Sequence, residues 1–249
     1  MNKLYEKNEL TFALVCIAAY CALQSAANPL NRLLGVDYAA SALLGIAQAA
    51  ALFLFLKKNN LLKRYGLCRS AVPARRFLYY LPLMFLATRN FWSGFALRLD
   101  IAGVVCYTAC MLCVGFLEEV IFRGFLFRAM AKENVKTAIV VSSVTFGLGH
   151  LLNLVNGSGA GLAENLFQVT GAMAIGFLFV TLFFRGGSLL PCIAAHAAIN
   201  VTAVFSNDAG LTMETRMVLH LILMAVAVAY ALFLTRTLPQ RGEPGNTAG

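Results

Sequence analysis

The sequence predicts an all-α, polytopic membrane protein on three observations: 60% of its 249 residues are hydrophobic, only 12% are charged, and the mean hydropathy is +0.75. An average soluble domain carries about 25% charged residues. Runs of about 20 mainly apolar residues mark helices able to cross a bilayer. Eight are expected, over about 10–27, 38–56, 74–96, 101–128, 137–155, 166–184, 188–205 and 217–235, surrounding a polar cavity open to the cytoplasm. The third is the weakest. Its apolar part, Phe77 to Ala87, is short and contains Pro82, so a bent or re-entrant path competes with a clean span. A single integral-membrane domain over 1–249 follows, with no internal repeat and a disordered cytoplasmic tail over 236–249.

The net charge of +9 reports topology rather than nucleic-acid binding, because the basic residues follow alternate loops. With the amino terminus in the cytoplasm, all of the 20 Lys and Arg residues except Arg32, Arg89, Arg98 and Arg216 fall on that side. That is the asymmetry of the positive-inside rule, and an even number of spans places both termini in the cytoplasm. The largest loop, about 57–73, is basic and suits an anionic leaflet. Lys3 and Lys7 before an apolar run, with Ser25-Ala26-Ala27 after it, imitate a secretory signal, but an uncleaved anchor is the preferred reading. Short loops fit a bacterial plasma membrane. The seven cysteines include Cys106, Cys110 and Cys113 on one helix face, which suits packing better than metal or redox chemistry.

Polar groups inside these apolar runs carry the functional information. A charged side chain at the bilayer centre costs roughly 2.5 to 3.5 kcal/mol on insertion scales, so such groups mark a working site. Glu118 and Glu119 are adjacent on a helix and point about 100° apart, so they cannot share one task. Arg123, four residues after Glu119, can pair with it on one face and lower the cost of burying both. Glu118 is left to face something else. Phe146 and His150 are one turn apart, with Gly147 and Gly149 between them to admit a neighbouring helix. His196 and Asn200 repeat the one-turn spacing and present an imidazole and a carboxamide from one face. Counted from the basic ends of their helices, Glu118, His150 and His196 lie at roughly 15 to 20 Å, which implies a shared site.

The residue types are those of hydrolysis. No serine or cysteine sits beside a histidine in the cluster, so water is the expected nucleophile. A glutamate partly withdrawn from water makes a stronger base, and a nearby imidazole can hold that water or shuttle its proton. Two donors converging from His196 and Asn200 suit the oxyanion of a tetrahedral intermediate.

The run Glu118-Glu119-x-x-x-Arg123, then Phe146-x-x-x-His150, then His196-x-x-x-Asn200, resembles the CPBP or Abi family, the CAAX prenyl endopeptidases of the Ras-converting type and bacteriocin-processing relatives. The resemblance covers about Met111 to Val204, within a motif-bearing core of about 111–204. It implies an eight-helix intramembrane endopeptidase whose conical cavity opens to the cytoplasm. It also implies that Glu118 and His150 activate water, that His196 and Asn200 stabilise the oxyanion, and that Glu119 and Arg123 support the site. Its implied partners are the lipid bilayer and a peptide or membrane-protein substrate, possibly lipidated, with no nucleic acid and no cofactor.

Two other readings use the same residues. A zinc-dependent protease would take His150, His196 and Glu118 as ligands with water in the open position, although the chain lacks a His-Glu-x-x-His helix and Asn200 is a poor zinc ligand. A non-enzymatic protein, either a bacteriocin-immunity or scaffold factor or a proton-coupled transporter, would use the cluster for binding or proton relay. The absence of an inverted repeat weighs against the transporter.

Overall fold

The computed structural model describes residues 1–73, 76, 79–155 and 161–238. Among them there is no strand, only an isolated antiparallel bridge between Phe95 and Ser206. A short helix α1 (Asn2–Lys7) leads into α2 (Glu9–Leu34) and α3 (Ala39–Lys58). After the basic loop comes α4 (Leu81–Ala87), then α5 (Ile101–Glu118), which continues as π-helical turns over Glu119–Phe127 and as α6 (Arg128–Ala131). The remainder is α7 (Val135–Gly149), the single turn α8 (Leu152–Val155), α9 (Leu162–Gly186), α10 (Leu190–Thr202) and α11 (Met213–Thr237).

Local sequence accounts for the ends of these helices. Asn8, Asp100, Asn134 and Thr212 cap α2, α5, α7 and α11 by accepting a backbone N–H through their side chains. Gly35 and Gly187 close α2 and α9 in the left-handed region, where a glycine avoids the Cβ clash.

Six helices are long and apolar enough to cross a membrane: 9–34, 39–58, 101–131, 135–154, 162–186 and 213–237. A polytopic all-α membrane protein is therefore what the chain forms. Two of the eight expected spans, 74–96 and 188–205, are not among these six. Among the described residues of segment 74–96 are the seven-residue α4, where Pro82 in the first turn suits a helix start, 3-10 residues at 76, 79 and 80, and a 3-10 turn over Arg89–Phe91. Segment 188–205 forms a helix of intermediate length, Leu190–Phe205. Both nevertheless join opposite ends of the molecule. At one end Ala71 N–H donates to Gly186, Leu189 N–H donates to Gly66, and the Tyr230 hydroxyl donates to the Tyr79 carbonyl. At the other, Ala96 N–H donates to Phe205 and Ser93 Oγ donates to Asp208 at 2.5 Å. Helix α11 extends the last span through Arg236 and Thr237, and the tail expected beyond, from 239, lies outside the described residues.

The two ends differ. Around Glu9, which pairs with Arg64 at 2.5 Å and Lys132 at 2.8 Å, the basic loops gather at one end of the molecule, the basic end. Beneath it, Tyr5, Phe12, Phe55, Tyr65 and Phe125 interlock edge-to-face at 4.8 to 6.3 Å, with Phe12 and Phe55 tilted, and Leu126, Phe179 and Phe183 continue the buried core. Burial there, reinforced by the Tyr5 hydroxyl, raises the Tyr65 phenol above its usual range. The opposite half is hollow.

Candidate active site

A cavity of about 1050 Å³ occupies that half, and Glu118, His150, His196 and Asn200 all line it. Its other walls are the second half of α2, the middle and second half of α5, the end of α7, the start of α9 and the start of α11. Asp37, Trp92, Ser93, Asp208 and Arg216 lie at the mouth, in or beside the loops of the end remote from Lys57, Lys63 and Lys132. The expectation that the cavity opens on the same side as the basic loops is therefore corrected. Counting depth from one end of each helix fixes how deep a residue lies and says nothing of which end is closed; the aromatic packing closes the basic end.

The glutamate pair divides as its helical spacing requires. Glu119 and Arg123 are both 0% exposed, with Arg123 Nη1 3.1 Å from Glu119 Oε1. The approach is an ion pair without hydrogen-bond alignment, because Arg123 Nη1 and Glu119 Oε2 have no aligned partner. The guanidinium instead lies over the Phe146 ring, 3.9 Å from its centroid. A Cβ at Gly176 would stand 3.2 Å from Arg123 Nη2, so the absence of a side chain there makes room for the cation. Glu118 faces the cavity, 14% exposed in its side chain.

His196 joins the two carboxylates. Its Nδ1 is 2.8 Å from Glu119 Oε1 and its Nε2 is 3.5 Å from Glu118 Oε2. With Nδ1–H donating to Glu119, the Nε2 contact is attractive only when a proton lies between it and Glu118, carried by either partner. His150 sits at the C-cap of α7, within the apolar span 135–154. Its Nδ1 is 3.1 Å from the Phe146 carbonyl, an acceptor only, so Nδ1 carries the hydrogen and the neutral ring keeps a lone pair on Nε2. Phe146 stands edge-to-face against both imidazoles, with centroids 5.2 Å from His150 and 5.8 Å from His196. Asn200 lines the cavity wall, and its backbone carbonyl accepts from the Tyr107 hydroxyl at 2.9 Å. Asn90 anchors the end of α10 by donating to the Ile199 carbonyl at 2.5 Å and to Thr202 Oγ1 at 2.8 Å.

Several features escape a motif search. Tyr20, from α2, donates through its hydroxyl to Glu118 Oε1 at 2.7 Å. The signal was a periodicity: Tyr20, Gln24 and Asn28 recur every four residues in an apolar helix, and all three line the cavity. His220 of α11 also lines it, 3.0 Å from Thr170 Oγ1 and stacked on Phe167. The π-helical turns begin at Glu119, immediately after Glu118, and all nine of their residues are buried. Of the two motif glycines, Gly147 fits the expected role, since a Cβ there would lie 2.9 Å from the Val169 carbonyl; Gly149 has open space around it.

Both ring nitrogens of His196 face carboxylates, and among the described residues no three His, Cys, Asp or Glu side chains come together as a metal would need. The seven cysteines are free, and Cys113 packs on Gly45 between α5 and α3.

Fold and site together define a polytopic membrane protein with a carboxylate, imidazole and amide cluster at the base of one polar cavity. Residues 100–202 match the Rce1-like family, described as Type II CAAX prenyl endopeptidase Rce1-like, so the resemblance read from the three motifs holds over the segment that carries them. No curated protein and no solved structure matches the chain at a significant level.

Proposed function

We propose that the protein is an intramembrane endopeptidase in which Glu118 and His150 activate water against a peptide carbonyl while His196 and Asn200 hold the developing oxyanion. The observation that carries this reading is the opening of Glu118, His150, His196 and Asn200, from three different helices, into one cavity. Water held between Glu118 and Nε2 of His150 loses its proton to the carboxylate as it attacks the carbonyl carbon. The carbonyl oxygen takes the negative charge and accepts from the Asn200 amide and from Nε2–H of His196. Collapse of the intermediate returns the proton from Glu118 to the leaving amine. Glu119 and Arg123 act behind His196: the carboxylate orients the ring through Nδ1, and the guanidinium balances the charge of that carboxylate in a dry setting.

Glu118→Ala is expected to abolish cleavage while the protein still accumulates in the membrane, read by comparing uncut precursors in cells carrying the natural and variant proteins. Intact biological function in that variant favours a binding or immunity role instead. Cleavage is also expected to survive a chelator, with no zinc found in the purified protein by elemental analysis. Stoichiometric zinc whose removal stops cleavage overturns the water-only scheme.

A further inference from the structure

The orientation of the cavity says from which side this site is served. Lys3, Lys7, Lys57, Lys58, Lys63, Arg64, Arg69, Arg76, Lys132, Lys136 and Arg236 lie at or beside the basic end, whereas the mouth end holds Arg32, Arg89, Arg98 and Arg216 together with Asp37, Asp100, Glu164, Asp208 and Glu214. Orientation in a membrane follows Lys and Arg in short loops, with acidic residues contributing little, so the basic end belongs in the cytoplasm. The loop residues lining the cavity belong to the other end, and Phe125, Leu126 and Phe183, each at most 2% exposed and none lining the cavity, pack on the basic side of the site.

We infer that this protein takes polypeptide substrates from the non-cytoplasmic face of its membrane, as uncharged, extended segments laid along the polar face of α2. The inference rests on the protease reading above and departs from the cytoplasmic mouth that the family resemblance implies. The α2 face supplies what an extended chain needs at bilayer depth, where each unpaired backbone group costs several kcal/mol. Gln24 Nε2 is buried without a partner, one turn from Tyr20 and one from Asn28, and the row leads from the mouth to the Glu118 carboxylate. An amide side chain offers both a donor and an acceptor to a passing peptide unit. Both signs of charge stand at the mouth, Arg32 and Arg216 beside Asp37 and Asp208, so no strongly charged segment is drawn in.

The first test is independent of catalysis. Cysteines placed singly by Asp37→Cys at the mouth and Lys63→Cys in the basic loop are treated in intact cells or spheroplasts with a membrane-impermeant maleimide, and labelling is read over that of the parent protein. Labelling of Asp37→Cys before permeabilisation and of Lys63→Cys only afterwards is expected; the reverse pattern overturns the inference. Should either variant fail to accumulate, green fluorescent protein fused after Gly249 gives the same answer, fluorescent as expected or dark against it. The second test compares protein amino termini in membranes of cells with the natural protein and with Glu118→Ala. Lost cut sites should lie in segments on the non-cytoplasmic face, whether in secreted peptides or in the outer ends of membrane proteins, and the two are separated by whether the product stays with the membrane. Cut sites confined to cytoplasmic segments overturn the inference with the protease reading intact. No lost cut site, with labelling as expected, overturns the protease reading and the substrate while the orientation stands.

Discussion

Tyr20 reaches Glu118 from a helix that carries none of the three motifs, and its 2.7 Å hydrogen bond ties α2 directly to the proposed base. A hydroxyl donating to a carboxylate contributes about 1.5–3 kcal/mol, and it also fixes which oxygen remains open to water. Tyr20→Phe removes the hydroxyl and keeps the ring. Cleavage is expected to fall about ten- to a hundredfold with little change in thermal stability, measured as turnover and Tm in detergent; unchanged turnover would reduce Tyr20 to a packing residue. The same contact bears on the signal-like start of the chain, because cutting after Ala27 would detach Tyr20 and Gln24 from the cavity wall. The glutamate, histidine and asparagine were legible in the sequence because each repeats at a helical turn within an apolar run. Tyr20 was not, because one hydroxyl in a span costs little enough to need no function.

Helix α7 lies against α9 along most of the length of α7, and the approach is closest at Gly147. A methyl group there would stand 2.9 Å from the Val169 carbonyl and closer still to Met173, so the helices must separate for Ala to fit. Ala gains about 1 kcal/mol over Gly in a helix, whereas overpacking against backbone costs about 1–3 kcal/mol, and a rigid carbonyl favours the upper part of that range. Gly147→Ala is therefore expected to lower Tm and activity together, since α7 carries Phe146 and His150. Gly149→Ala, with nothing within 4 Å of its Cβ, should leave Tm unchanged or slightly raised. Equal effects at both positions would remove the packing explanation. Sequence alone treats the two glycines alike, because spacing along a helix does not say which face meets a neighbour. The switch to π-helical turns at Glu119 was equally illegible: it changes the register by less than a residue per turn, and the Glu119 and Arg123 pair survives it.

Across the whole molecule, the membrane class, the charge asymmetry and the polar residues that line one cavity were legible in the sequence, but not which end is hollow. Every span is apolar all round, so periodicity distinguishes a helix wall facing a cavity from one facing lipid only where polar residues interrupt it, as on α2. The solid half and the hollow half should then answer differently to substitution. Phe12, 2% exposed, belongs to the aromatic cluster under the basic end, where truncation of a buried Phe costs about 3–5 kcal/mol. Phe12→Ala is expected to lower Tm strongly and reduce the amount of protein in the membrane. Val114 lies one turn from Glu118 on the cavity wall, half-buried and beside open space. Val114→Trp adds volume where no side chain must move, so Tm should hold within a few degrees while cleavage of a polypeptide falls by at least tenfold as the path to Glu118 narrows. A Tm loss at Val114 comparable to that at Phe12 would mean that the cavity closes in the membrane, and the division into a packed support and an open reaction chamber would have to be abandoned.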